Sequence, residues 1–413
     1  MELYYSLSIL IVLAALFSYI NARFLKLPPS IGVMIIALLM SLVLVFWGIE
    51  FPKTVEHFTK LVTTFDLPDI LMNVMLNFLL FAGGIHIRFK DLRAQKGPVI
   101  IMSTVGVIIS TILVGYGLYF VSNLMHLSFP LIQCMVFGAL ISPTDPIAVM
   151  GILKQAGVSK SLETKVTGES LFNDGVAVVL FMTINSFASG EEVDTSFKGI
   201  SFLLIQEIVG GVGLGVLLGF LATMLIKRVN EYMVEVLITL AVVMGGSLLA
   251  TSLHFSAPLT MVAAGLFVGN ISTKYSSSES KDYLAKFWHI IDELLNYILF
   301  ILIGFELLII PHVGMYAKVG IVAIVIVLLA RLISIYIPSR IASFRRVFDM
   351  NTVFLLTWGG LRGGVSIALA ISMFESPNKP AFVAITYIVV LFSIIVQGLT
   401  VGKFAKKLTL RPN

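Results

Sequence analysis

Long apolar runs recur along the whole chain and are separated by short polar linkers. A helix needs about 20 mostly apolar residues to cross the hydrocarbon core of a bilayer, so each run predicts one transmembrane helix. The runs cover residues 3–20, 30–48, 67–85, 98–121, 131–153, 164–188, 200–226, 232–252, 256–272, 287–309, 314–337, 349–374 and 380–402. No linker has room for a soluble domain, so the pattern predicts an all-α membrane protein with 13 transmembrane helices.

Composition excludes the soluble alternatives. Hydrophobic residues make up 58% of the 413 residues and charged residues only 12%, whereas soluble domains carry about 25% charged residues. Cys134 is the one cysteine, so an internal disulfide is impossible. The lipid bilayer is therefore the predicted partner of the chain.

The distribution of basic residues predicts the orientation. If the N-terminus lies outside, 21 of the 28 Lys and Arg residues fall in inner loops, five in outer loops and two within spans. Inner loops of membrane proteins are enriched in Lys and Arg, which predicts a cytoplasmic C-terminus in the cell (inner) membrane. The positive net charge is thus topological, and we expect no nucleic-acid partner because the basic residues form no continuous stripe.

Two of the predicted spans are interrupted. In the fifth, two prolines bracket Thr144 and Asp145; in the twelfth, four glycines surround Arg362. Proline breaks a helix, and irregular backbone at mid-membrane persists only where it is buried in protein or faces a wet cavity. The two interruptions are seven spans apart, as expected for two inverted six-helix repeats whose broken helices 5 and 12 cross at mid-membrane.

The sixth span carries a dense group of polar residues. At 100° per residue, Ser170 and Asp174 share one helix face, and Glu169 and Asn173 share another. Carboxylate, hydroxyl and carbonyl oxygens are hard ligands that suit an alkali cation. A carboxylate in a poorly hydrated place also holds a proton more readily near neutral pH. Competition between proton and cation for one carboxylate is a simple chemical basis for exchange.

These motifs resemble those of a known family. The stretches Ser142-Pro-Thr-Asp145-Pro-Ile-Ala-Val, Gly168-Glu-Ser-Leu-Phe-Asn-Asp174-Gly-Val-Ala-Val-Val-Leu-Phe and Trp358-Gly-Gly-Leu-Arg362-Gly-Gly-Val-Ser look like the signatures of the monovalent cation/proton antiporters. They are most similar to NhaP-type sodium/proton antiporters, relatives of animal sodium/proton exchangers. The resemblance implies a secondary transporter, not an enzyme, that exchanges Na⁺ (or Li⁺) for H⁺ in pH homeostasis. These ions are substrates, and no cofactor is implied.

The resemblance also implies a homodimer in which each protomer works by alternating access. A moving core domain would comprise 98–188 and 314–402, an interface domain would comprise 3–85 and 232–309, and 200–226 would be a linker helix. Many relatives carry an acid in the third span, in the stretch matching Phe81-Ala82-Gly83-Gly84, where this chain has none.

The family's ion site maps onto the same motifs. The resemblance implies that Asp174 carries the proton and the Na⁺, with Asp145, Ser170 and the main chain at Thr144 completing the site. Asp145 could instead only compensate helix dipoles, and Ser170 could be a packing hydroxyl.

The resemblance implies structural roles for the remaining polar residues. Glu169 would form an ion pair with Arg331 of the eleventh span, supported by Asn173, and Arg362 would neutralise the negative half-helix ends. Arg362 is the alternative partner for Glu169, since a buried charge requires pairing.

Asn173 stands where electrogenic relatives carry a second acid, so the resemblance implies electroneutral 1:1 exchange.

Three alternatives to sodium/proton exchange stay open. A K⁺/H⁺ or non-selective cation antiporter is the nearest alternative. An intramembrane diaspartyl enzyme would need Asp145 and Asp174 to share a proton, and a channel would lack obligatory proton coupling.

Overall fold

The computed structural model describes residues 2–47, 69–145, 149–150, 153, 157–190, 197–229, 231–271, 277–308, 310, 313–340 and 348–409. Within these residues the secondary structure is entirely helical. Eight of the described helices are long and apolar enough to cross a membrane, and four shorter ones are also apolar. The prediction of an all-α membrane protein is confirmed at this level.

The complete helices among the described residues of the first half are α1 Glu2–Ile20, α2 Pro29–Trp47, α3 Leu76–His86, α4 Phe89–Ile101, α5 Val107–Leu124, α6 Leu131–Leu140 and α7 Lys160–Ser189. Wider π-helical turns extend α1 through Asn21–Leu25, precede α3 at Ile70–Met75 and join α4 to α5 through Met102–Gly106.

The helices of the second half are α8 Phe197–Ile226, α9 Tyr232–Ser252, α10 Ala257–Ile271, α11 Ser278–Glu306, α12 Ala317–Ser339, α13 Met350–Trp358, α14 Gly364–Ile371, α15 Lys379–Phe392 and α16 Gly398–Thr409. A 3₁₀ turn, Val313–Tyr316, precedes α12, and a π-helical turn, Ser393–Gln397, joins α15 to α16.

Several helices begin earlier than the apolar runs predict. The helix assigned to 98–121 begins at Phe89, and the helix assigned to 287–309 begins at Ser278. Ser277 caps the latter by accepting a hydrogen bond from the Ser280 backbone N–H at 3.1 Å. Such caps let a helix run beyond the bilayer as a polar turn, which a search for apolar runs does not detect.

Both predicted interruptions are present. Helix α6 ends at Leu140 and leaves residues 142–145 non-helical, and residues 360–363 separate α13 from α14. Pro146, much of the second half of the fifth span (146–148 and 151–152) and the predicted span edges at 48, 67, 272 and 309 lie outside the described residues.

Close helix packing holds the interrupted segments. Helix α5 packs along α6, α12 packs against α5, and α7 packs on both α4 and α6. Gly138 of α6 lies directly against the Thr111 carbonyl of α5, so the two backbones touch where any larger residue would hold them apart. On the other side of the molecule, α11 packs on α2 and α10 packs between α3 and α8.

Candidate functional site: an ion site at two interrupted helices

The two non-helical segments are hydrogen-bonded to each other. The Asp145 backbone N–H donates to the Leu361 carbonyl at 2.7 Å. The Asp145 carboxylate lies beside Gly363, the N-cap of α14. A helix N-terminus carries a partial positive charge, so this carboxylate compensates the start of α14.

Arg362 provides the opposite compensation. Its guanidinium Nη1 donates to the Ser142 carbonyl and, at 3.0 Å, to the Pro143 carbonyl. These carbonyls follow the C-terminal end of α6, where the helix dipole is negative. Arg362 is 2% exposed, so a buried cation is matched to a buried helix end.

Two polar residues that the sequence analysis missed hold the segment at residues 359–363. Ser393 accepts a hydrogen bond from the Arg362 backbone N–H at 2.9 Å and donates to Gln397 at 2.7 Å. The Gln397 amide then donates to the Trp358 carbonyl at the end of α13, at 3.0 Å. Ser393 and Gln397 are four residues apart in an otherwise apolar run, a helical spacing that was the available signal.

Thr144 is joined to α7 by three hydrogen bonds. The Asn173 amide donates to Thr144 Oγ1 at 2.8 Å, and the Thr144 N–H donates to Asn173 Oδ1 at 3.4 Å. The third joins Thr144 Oγ1 and Ser170 Oγ at 3.0 Å. Asn173 therefore lies against Thr144, whereas the resemblance assigned it to the Glu169–Arg331 pair.

Asp174 lies on α7 at the end of a large open cavity. The cavity has a volume of about 970 Å³ and is also lined by Thr144 and Asp145. Asp174 is 7% exposed, and within the described residues its carboxylate makes no hydrogen bond or salt bridge. A buried carboxylate without a fixed partner is costly unless something neutralises it.

The mouth of the cavity is lined by charged side chains. Arg88, Asp91, Lys160, Glu163 and His289 are among its lining residues, and Arg88 and Lys160 belong to segments that the charge pattern predicts to be cytoplasmic. The cavity therefore opens on that side of the molecule.

Glu169 and Arg331 form a buried bidentate ion pair. Arg331 donates to both carboxylate oxygens of Glu169, at 2.5 and 3.0 Å, and both side chains are almost fully buried. Glu169 therefore pairs with Arg331 and not with Arg362, the alternative partner.

The wall of the cavity formed by the third span contributes Leu79, Leu80 and Gly83. Acidic and amide side chains reach the cavity from α11 instead, where Asp292 and Asn296 line it.

A carboxylate at the crossing of two interrupted membrane helices, reached by an open cavity, defines a secondary transporter for a small cation. The sequence profile described as "Sodium/hydrogen exchanger, transmembrane" matches residues 11–407. The chain belongs to this sodium/hydrogen exchanger family, which confirms the prediction of a transporter and not an enzyme.

The relatives share the whole length of the chain. The Na(+)/H(+) antiporter NhaP of Pseudomonas aeruginosa is 42% identical over 96% of this chain and 95% of its own length. The Na(+)/H(+) antiporter NhaH of Halobacillus dabanensis is 32% identical over 97% of each chain. The sodium proton antiporter MjNhaP1 from Methanocaldococcus jannaschii, solved at pH 8, superposes over the full length of both chains with a TM-score of 0.75 at 20% identity, and so has the same fold.

Replacing Arg331 with Ala should destabilise the protein, because Glu169 is left buried without its partner. Loss of one member of a buried pair costs about 3–5 kcal/mol. Thermal unfolding of the detergent-solubilised protein should show a clear fall in midpoint. The double variant E169Q/R331M should regain much of it, and an unchanged midpoint in R331A would contradict a stabilising pair.

Replacing Gly363 with Ala should weaken cation binding. A Cβ at this position would lie 2.6 Å from Asp145 Oδ2, so the carboxylate must move. We expect the apparent KM for Na⁺ to rise by about tenfold, equivalent to about 1.4 kcal/mol, as measured by Na⁺-driven proton movement in vesicles. Gly213→Ala is the matched control because nothing lies within 4 Å of its Cβ, and equal effects in both variants would rule out the steric argument.

Proposed function

We propose that the protein is an antiporter that exchanges Na⁺ for H⁺, with Li⁺ as a second accepted cation. The observation that carries the proposal is Asp174, a carboxylate with no salt-bridge partner among the described residues, which lines an open cavity that Thr144 also lines. The relatives NhaP and NhaH are named as Na(+)/H(+) antiporters and match this chain over almost its whole length.

The charges around Asp174 support one-ion exchange. Arg331 is paired with Glu169, and Arg362 is bonded to helix-end carbonyls. The charge of Asp174 must therefore be neutralised by what it carries, either a proton or a Na⁺. Since the two compete for one group, the apparent affinity for Na⁺ falls as the pH falls.

Thr144, Ser170 and Asp145 complete the proposed Na⁺ site. Thr144 and Ser170 supply hydroxyl oxygens within 3.0 Å of each other, and Asp145 supplies a second carboxylate on the same cavity. Oxygen ligands of this kind suit an alkali cation. Asn173, Glu169, Arg331 and Arg362 keep these groups in place and do not bind the ion themselves.

The position of the cavity supports alternating access. One wall belongs to α3 and α11, within the proposed interface domain (3–85 and 232–309), and the other to α7 and α14, within the proposed core domain (98–188 and 314–402). Movement of the core against the interface closes this cavity and opens the opposite side. We assign 200–226 as the linker helix.

The proposed topology has 13 spans in two inverted six-helix repeats, with helices 5 and 12 crossing at mid-membrane. The N-terminus lies outside and the C-terminus in the cytoplasm, because the basic residues favour the inner side. The structure then represents an inward-open state of a plasma-membrane protein. We further propose that the transporter is a homodimer joined through its interface domains and acts in pH homeostasis.

Asp174→Asn should abolish exchange, because the amide can bind neither a proton nor a cation as a carboxylate does. We expect activity below about 1% of the native rate with Na⁺, Li⁺ or K⁺, measured from the collapse of a pH gradient in everted vesicles. Asp282→Asn, an exposed change on α11, is the matched control. Residual Na⁺-driven proton movement in a folded D174N protein would remove Asp174 from the mechanism.

Exchange should be electroneutral, since one carboxylate carries either one proton or one Na⁺. Proteoliposomes containing the protein should show Na⁺-driven proton movement whose rate is unaffected when a K⁺ diffusion potential of either sign is imposed. A transport current that reverses with membrane potential would contradict one-for-one exchange.

A further inference from the structure

Glu306 is a buried carboxylate that the proposed exchange cycle does not use. It lies at the last position of α11 and is 4% exposed. Within the described residues its carboxylate has no hydrogen-bond or salt-bridge partner. An ionisable side chain in such a place within a membrane protein is a candidate functional group.

Glu306 shares a helix face with the residues that line the open cavity. Asp292, Asn296 and Leu299 of α11 line the cavity, and Ile303 and Glu306 follow at the same three- and four-residue spacing. At 100° per residue these five positions form one stripe. Glu306 lies seven residues beyond Leu299, roughly 10 Å further along the helix axis.

Packing on the opposite face of α11 confirms this direction. Gly304 lies against Ala37 and Leu38 of α2, and the Gly304 carbonyl accepts a hydrogen bond from Ser41 at 2.7 Å. Position 306 is about 160° from position 304 around the helix. Glu306 therefore faces away from α2 and towards the helices of the proposed core domain.

Tyr387 of α15 is the titratable group next to Glu306 in the described part of the chain. Its hydroxyl lies beside the Leu307 backbone and is electrostatically coupled to Glu306. The hydroxyl is buried and makes no well-formed hydrogen bond with a described residue. The phenol oxygen thus lies beside the backbone of the residue that follows Glu306, within electrostatic range of its carboxylate.

The stripe is sealed at the level of the interrupted helices. Leu299 packs directly against Gly364 at the start of α14, and Leu299 and Ile303 are both buried. The cavity side of this contact is open, and Glu306 lies on the closed side. When the cavity closes and the opposite side opens, the stripe beyond Leu299 becomes the wall of the new access path.

We propose that Glu306, with the Tyr387 hydroxyl, forms a second site for a monovalent cation or proton in the outer access path, where it collects the ion before transfer to Asp174. The proposal rests on the proposed antiport function. Both groups present hard oxygens, the ligand type that suits an alkali cation or a proton. The Glu306 carboxylate acts only from the outer side of the membrane. On the inner side, Asp292 is the acid of α11 that lines the cavity.

The experiment is a side-specific comparison of Glu306→Gln in vesicles of both orientations. In right-side-out vesicles the added Na⁺ meets the outer path, and in everted vesicles it meets the inner cavity. We expect the outer KM for Na⁺ to rise by about tenfold, because a local negative charge raises cation concentration at least to that extent. The inner KM should change by less than about twofold.

Glu235→Gln is the matched control, since Glu235 is a fully buried acid on α9 that is not among the residues lining the cavity. It should leave both KM values unchanged. A purely structural role of Glu306 would shift both sides alike or neither, and either result would overturn the proposal. If the unaltered protein shows no Na⁺-driven proton movement, the antiport proposal itself fails, and this outcome is separate from a loss of sidedness.

A second variant keeps the proposal testable if E306Q does not fold. The variant is Glu306→Cys, made in a protein whose buried cysteine is removed by Cys134→Ala. A membrane-impermeant thiol reagent should label the protein from the outer side and not from the inner side. Labelling from the inner side, or none from the outer side in an actively exchanging protein, would contradict the outer path.

Discussion

Each of the two interrupted helices supplies a charged side chain that compensates a broken end of the other. The rest of the structure depends on this mutual compensation. Arg362, from the gap between α13 and α14, donates to the carbonyls that follow α6. Asp145, from the gap after α6, places its carboxylate at the start of α14. Exposed backbone ends and isolated charges are each unfavourable in a membrane interior. Here the charges and the backbone ends satisfy one another, so both segments can remain non-helical.

This mutual compensation leaves Asp174 as the residue whose charge can change during the proposed cycle. Glu169 and Arg331 neutralise each other through two hydrogen bonds, and Asp145 and Arg362 are matched to helix ends. Asn173 holds Thr144 beside Ser170 without contributing a charge of its own. Under the proposed function, Asp174 is then the carboxylate at this site whose charge is neutralised by the transported ion. In the proposed cycle, the core moves more readily with an ion bound, because only the neutralised carboxylate avoids a large desolvation cost.

The membrane class and both helix interruptions were predictable because they depend on local chemistry. Apolar runs indicate transmembrane helices. The prolines around Asp145 and the glycines around Arg362 indicate interruptions in the helical backbone. Contacts between distant spans were not predictable. The bonds from Asn173 to Thr144 and from Ser393 to the Arg362 backbone arise only when the spans cross. Helix starts were missed where polar caps extend a helix beyond its apolar run, as at Ser277. Glu306 was missed although it is an acid within an apolar run, a signal that sequence alone carries.

In the proposed cycle, helix α11 lines the access path on both sides of the ion site. Its stripe is polar at Asp292 and Asn296, apolar at Leu299 and Ile303, and acidic again at Glu306. The apolar middle meets Gly364 at the level of the crossing, where a glycine lets the two helices touch. Water and ions cannot pass such a contact without opening a polar path through apolar side chains. In the proposed cycle, a displacement of α14 along α11 would move this contact from one side of Asp174 to the other.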